Sequence, residues 1–80
     1  MQKLRNNPIF GARIRTLRNA AHLTQEQVAA QLQLRGFDMS RSIYSQIECG
    51  IHSIRVEELA ALKQIFNVSY DDFFSCFEQV

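Results

Sequence analysis

The chain has 80 residues, 46% of them apolar and 21% charged, which suits one small folded core and excludes a disordered segment. No apolar run approaches bilayer-spanning length, and the opening MQKLRNNP lacks the apolar stretch of a signal peptide, so a cytoplasmic protein with a single domain over residues 1–80 is expected. Cys49 and Cys76 are far apart, with no C-x-x-C or Cys/His ligand spacing. That argues against a zinc site or a disulfide framework and predicts two reduced thiols.

The formal net charge is only +1, but it is unevenly spread. Residues 1–50 carry seven basic against three acidic side chains, a balance of +4, and residues 51–80 carry two against five, a balance of −3. A basic N-terminal half can face an anionic surface while the acidic half faces away. Ordinary solvated charge is the competing reading until other signals are added.

In chain order, Asn7 and Pro8 open the first helix: a side chain able to cap free amides, then a residue whose missing N–H costs nothing at the first position. Phe10, Ile14, Leu17 and Ala21 form one apolar stripe along it, and Arg13, Arg15 and Arg18 lie largely off that stripe. Lys3 and Arg5 precede it in an arm expected to be flexible, which either reaches a neighbouring phosphate or makes no contact. Thr24 and Gln27 have capping-box spacing, with Leu23 placed to staple onto Val28, so a second helix starts here. Val28, Ala29 and Leu32 supply its buried face, Gly36 is a left-handed stop, and Phe37 can fold back on Leu32.

Ser40 repeats the capping logic, with Met39 set to staple onto Tyr44. A short third helix over 40–48 ends at Cys49 and Gly50. Tyr44 and Ile47 share its core face, and Arg41, Ser42, Ser45 and Gln46 lie on or near the other side. A fourth helix covers roughly Arg55 to Phe66, with Leu59, Leu62 and Phe66 on its stripe and Ser53 as its cap. Ser69 caps a last helix whose first turn holds Asp71 and Asp72, where negative charge suits the helix dipole. Its aromatic side chains Tyr70, Phe73, Phe74 and Phe77 are read mostly as core, with any exposed part a natural dimer patch. With no alternating pattern, repeat or low-complexity linker, the chain reads as an all-α bundle of five helices.

Two short helices joined by a turn, the second polar on its outer face, have the geometry that places a helix in the major groove of DNA. The segments LTQEQVA (23–29) and SRSIYSQIECG (40–50), with FGARIRTLR upstream and LAALKQIFNVSYDDFF downstream, resemble the Cro/repressor-type, Xre-like helix-turn-helix domain over residues 9–74. The resemblance implies a five-helix bundle of the lambda-repressor-like DNA-binding type, with the helix-turn-helix at about 24–49. It implies that Gln25 contacts the DNA backbone and that Arg41, Ser42 and Gln46, exposed positions one, two and six of the recognition helix, reach base edges. Arg can grip guanine O6 and N7, and Gln adenine N6 and N7, each good pair being worth roughly 1–3 kcal/mol of discrimination. Ile43 and Ser45 also approach the groove, Ile43 against a thymine methyl. Arg18 and Glu48 match a pair that forms an ion bridge in this family, with a structural role: it orients the recognition helix, since desolvation offsets much of its Coulomb gain.

Between Leu32 and Ser40 the sequence places seven residues, QLRGFDM, where compact members of the family have about two. Either the second helix is longer or the turn is looped, and Arg35 and Asp38 project from this insert. His22 and His52 have no partner at triad or metal-cage spacing, so neither is read as a site. Cys49 is expected to be an inert, half-buried thiol. No cofactor, metal or small-molecule ligand is implied. The expected function is that of a non-enzymatic, sequence-specific regulator, a repressor, binding double-stranded DNA as a homodimer. The alternative is a protein-interaction module, such as an antitoxin-like partner or adaptor that keeps the helix-turn-helix shape.

Overall fold

The computed structural model describes residues 7–77; the N-terminal arm with Lys3 and Arg5 lies outside them. The elements are α1 (Pro8–Ala20), α2 (Gln25–Leu34), α3 (Arg41–Glu48), α4 (Val56–Phe66) and α5 (Tyr70–Phe74), followed by a 3₁₀ turn at Ser75–Phe77. Among the described residues there is no β-strand, and no helix is long and apolar enough to cross a membrane. The all-α bundle read from the sequence is the observed architecture.

Local chemistry sets most of the boundaries. Asn7 Oδ1 accepts from the amides of Ile9 (2.9 Å) and Phe10 (3.1 Å), and Pro8 occupies the first helical position. Thr24 and Gln27 form a reciprocal capping box: the Gln27 amide donates to Thr24 Oγ1 at 3.1 Å and the Thr24 amide to Gln27 Oε1 at 2.8 Å. Ser40 Oγ accepts from the Ile43 amide at 3.1 Å, and Ser69 and Asp72 cap each other at the start of α5. Each bond satisfies an amide with no partner inside the helix and contributes on the order of 1 kcal/mol.

The start of α4 departs from expectation. Arg55, not Ser53, holds the cap position, and its side chain caps nothing. The Glu58 carboxylate instead reaches back to accept from the Arg55 amide at 2.9 Å. An acid at the third helical position thus fixes a boundary that a serine two residues earlier does not.

The core is built from Phe10 and Ile14 of α1, Val28 and Leu32 of α2, Tyr44 and Ile47 of α3, Leu59 and Leu62 of α4, and Phe73 of α5. Burying a side chain of this size contributes roughly 1.5–3 kcal/mol. Helix α3 lies between α1 and α2, while α4 packs on α2 and α5 on α1, so the candidate recognition helix is backed on two sides. The last aromatic segment divides between core and surface. Phe73 is fully buried and Phe74 half-buried, Phe77 stacks on Phe10 but is 41% exposed, and Tyr70 is exposed beneath the Lys63 ammonium.

Candidate nucleic-acid interface

At 3.6 residues per turn, Arg41, Ser42, Ser45 and Gln46 fall on one side of α3 and Tyr44, Ile47 and Glu48 on the other. The burial follows this division. Arg41, Ser42 and Gln46 are exposed, Ser45 is half-buried, and Tyr44, Ile47 and Glu48 are buried. Ile43 sits on the border, half-buried and packed against the core, so only part of its side chain is left for an outside partner.

The rear of α3 is fixed by a close approach and an ionic network. A Cβ added to Gly11 would lie 2.4 Å from the Glu48 carbonyl oxygen and 2.7 Å from that of Ile47, so α1 crosses the end of α3 at a distance only glycine permits. Gly50 then ends α3 with φ +77°, its amide donating to the Ile47 carbonyl and the Ile51 amide to that of Gln46. A side chain at Gly50 would meet the backbone of Asn7 and Pro8. Glycine is therefore required there both for its conformation and for its small size.

Arg18 Nε donates to Glu48 Oε2 at 2.6 Å and Nη2 to Oε1 at 3.1 Å, a two-pronged buried bridge between α1 and α3. Its Nη1 donates to the Leu23 carbonyl at 2.8 Å in the α1–α2 turn, where His22 adopts φ +61°. One guanidinium thus joins α1, the α1–α2 turn and the end of α3. Burial would push the Glu48 carboxyl up, but the hydrogen bonds from Arg18 and Gln25 and the charge of the Arg18 guanidinium outweigh it and hold the group below the usual carboxylate range. The same contact with Glu48 raises Arg18, and burial pushes the Tyr44 phenol far above its ordinary value.

Gln25, the first residue of α2, joins this network: its Nε2 donates to Glu48 Oε1 at 3.0 Å. The family resemblance paired Arg18 with Glu48 but implied no bond from Gln25 to that carboxylate, and a contact across 23 positions leaves no local periodicity to read. A side-chain amide carries two N–H donors. With one directed at Glu48, the other and the side-chain oxygen remain for a partner at the start of α2.

The long connection between α2 and α3 is resolved in favour of both alternatives. Helix α2 extends to Leu34 and is then closed by Gly36 at φ +92°, the Gly36 amide donating to the Gln33 carbonyl at 3.0 Å and the Phe37 amide to that of Leu32 at 3.1 Å. Residues 37–40 follow as a connection without regular secondary structure. Cys49 corrects a further expectation. It is an exposed thiol, not a half-buried one, because its position just past α3 turns it away from the α1 crossing.

An all-helical bundle that backs a polar helix firmly and leads into it from another short, capped helix is a helix-turn-helix protein. The chain belongs to the family described as the helix-turn-helix domain, whose model matches residues 9–73, from the first turn of α1 into α5, and which is related to Xre- and Cro-type domains. Membership implies a DNA-binding regulator in a family that is typically non-enzymatic. No curated protein and no solved structure matches the chain.

Proposed function

We propose that this protein is a sequence-specific transcriptional repressor that acts in the cytoplasm and reads the major groove of double-stranded DNA with α3 as a homodimer. The observation that carries the reading is the two-sidedness of α3: Arg41, Ser42 and Gln46 stand outward while Tyr44, Ile47 and Glu48 are fixed against α1 and α2. A rigidly backed helix can present side chains to base edges without a large ordering cost on binding. In this reading Arg41 takes guanine O6 and N7, Gln46 takes adenine N6 and N7, and Ser42 makes a less selective contact. Ser45 and the outer part of Ile43 line the groove beside them. Gln25, aligned by Glu48, gives its second N–H to a backbone phosphate, and Arg18 and Glu48 hold α3 and Gln25 in register.

The experiment is selection of bound sequences from a random duplex library, followed by titration of the selected duplex with wild type and Arg41→Ala. A two-fold motif is expected, with Arg41→Ala relaxing preference at one base pair per half-site at a cost of about 1–3 kcal/mol. Binding that is weak and unselective at every salt concentration would reject the reading. It would then favour the alternative, an antitoxin-like partner or adaptor, which draws support from the exposed apolar side chains of Ile51 and Val56 and the acidic residues that follow them.

A further inference from the structure

We propose that Arg35 is a second, sequence-independent contact to the DNA backbone, standing beside the entry of α3 into the groove. The proposal rests on the DNA-binding reading above and extends it to the insert between α2 and α3.

The insert is held in one shape. Arg35 caps the end of α2, and the paired bonds of the Gly36 and Phe37 amides close the helix directly behind it. The Gln33 side-chain amide donates to the carbonyl of Met39, and Met39 is buried immediately before Ser40, the cap of α3. The exit of α2 and the entry of α3 are therefore tied side by side. Arg35 lies inside the segment that this tie closes, two residues after Gln33, and Arg41 follows two residues after Met39 as the first residue of α3, so both stand where α2 ends and α3 begins.

The Arg35 side chain is suited to an external anion. It is exposed, and its Nη1 donates to Gln31 Oε1 at 2.9 Å and to the Gln31 carbonyl at 3.3 Å. Those bonds use Nη1 alone, and Nε and Nη2 have no hydrogen-bond partner among the described residues. Among the described residues the ion pair is that of Arg18 with Glu48, so no carboxylate neutralises Arg35 in competition with a phosphate. The chain between Arg35 and Arg41 spans at most about 20 Å when extended, and the Gln33–Met39 tie shortens it. With Arg41 at the floor of a groove about 12 Å wide, the flanking phosphates fall within reach of Arg35. A guanidinium presenting a fixed fork suits phosphodiester oxygens. Its neighbour Leu34, 80% exposed, offers no polar group that would read a base.

The test uses the full chain with its selected duplex and a scrambled duplex, comparing wild type with Arg35→Ala and Arg35→Lys. Arg35→Ala is expected to weaken binding to both duplexes by the same factor, to keep the selected motif, and to lower the salt slope by about one unit. Between 50 and 200 mM salt, wild type should then lose about three- to fourfold more affinity than the variant. Arg35→Lys retains the charge and most of the slope. Unchanged affinity and slope in Arg35→Ala, with wild type still selecting its motif, overturns this proposal and leaves the DNA-reading function standing. A loss confined to one base pair also overturns it, since Arg35 would then be reading a base. Failure of wild type to bind any duplex removes both. Thermal melts of the variants are expected to match wild type, because Arg35 is exposed and its side-chain hydrogen bonds go to Gln31 four residues earlier in the same helix.

Discussion

The outward position of Arg41 and Gln46 depends on a residue that faces the other way. Glu48 accepts from Arg18 and from Gln25, so a single carboxylate sets both α3 and the first residue of α2. Removing one partner of a buried ion pair leaves the other charge uncompensated, and Glu48→Gln is expected to destabilise the fold by roughly 3 kcal/mol at neutral pH. Because the folded-state group is held below its unfolded value of about 4.3, its contribution is complete above that pH and is lost as pH falls through the lower, folded value. The stability gap between wild type and Glu48→Gln, measured by denaturant titration across pH 2 to 7, should therefore be constant above about pH 4.5 and close on the acid side. Other carboxylates titrate in both proteins and cancel in the difference. A gap that stays the same down to pH 2 would show that Glu48 is not the titrating partner. The pairing of Arg18 with Glu48 was legible through the family resemblance, whereas the bond from Gln25 and that from Arg18 to the Leu23 carbonyl were not. Both depend on where the fold brings distant segments together.

At the scale of the helices, most boundaries were legible because they are set by local chemistry. Asn7, Thr24, Ser40 and Ser69 each cap the helix that the sequence assigned to them, and Gly36 and Gly50 end theirs in the left-handed region. Ser53 failed as a cap because the competing signal, Glu58 three residues into α4, takes the same role from inside the helix. The crossing of α1 over α3 left a weaker trace. A glycine inside a helix costs about 1 kcal/mol relative to alanine, and Gly11 has no turn to explain it. The structure supplies the reason in the Glu48 and Ile47 carbonyls that a methyl group would strike. Gly11→Ala thus sets a gain in helix propensity of about 1 kcal/mol against an overpacking cost of roughly 1–3 kcal/mol borne by backbone that cannot rotate away. A net loss of about 1 kcal/mol is expected, which for a domain of this size lowers the melting temperature by about 4–8 °C. DNA affinity should fall as well, since the displaced element is α3. A melting temperature at or above wild type would mean that the crossing is looser than described.

For the whole molecule, the proposed function requires two copies to meet on one operator. Symmetric regulators of this kind place their recognition helices roughly 34 Å apart, one turn of B-DNA. The described residues measure 37 × 24 × 20 Å, so two copies in contact through an edge can span that distance. The face formed by the start of α1 and the 3₁₀ turn is a suitable edge. Ile9 is 58% exposed, it lines a shallow pocket of about 280 Å³ with Ala12, Arg13, Thr16 and Cys76, and Phe77 stands exposed on the Phe10 ring nearby. Ile9→Glu tests this face without endangering the helix, because an acid in the first turn of α1 interacts favourably with the helix dipole. The variant should melt like wild type, sediment as a monomer at concentrations where wild type is dimeric, and bind a single half-site as well as wild type does. On the two-fold duplex it should lose the steep, cooperative dependence on protein concentration that dimerisation supplies. Dimeric sedimentation and unchanged cooperativity in Ile9→Glu would move the interface elsewhere, with the exposed Ile51 after α3 and Val56 at the start of α4 as the next surface to alter.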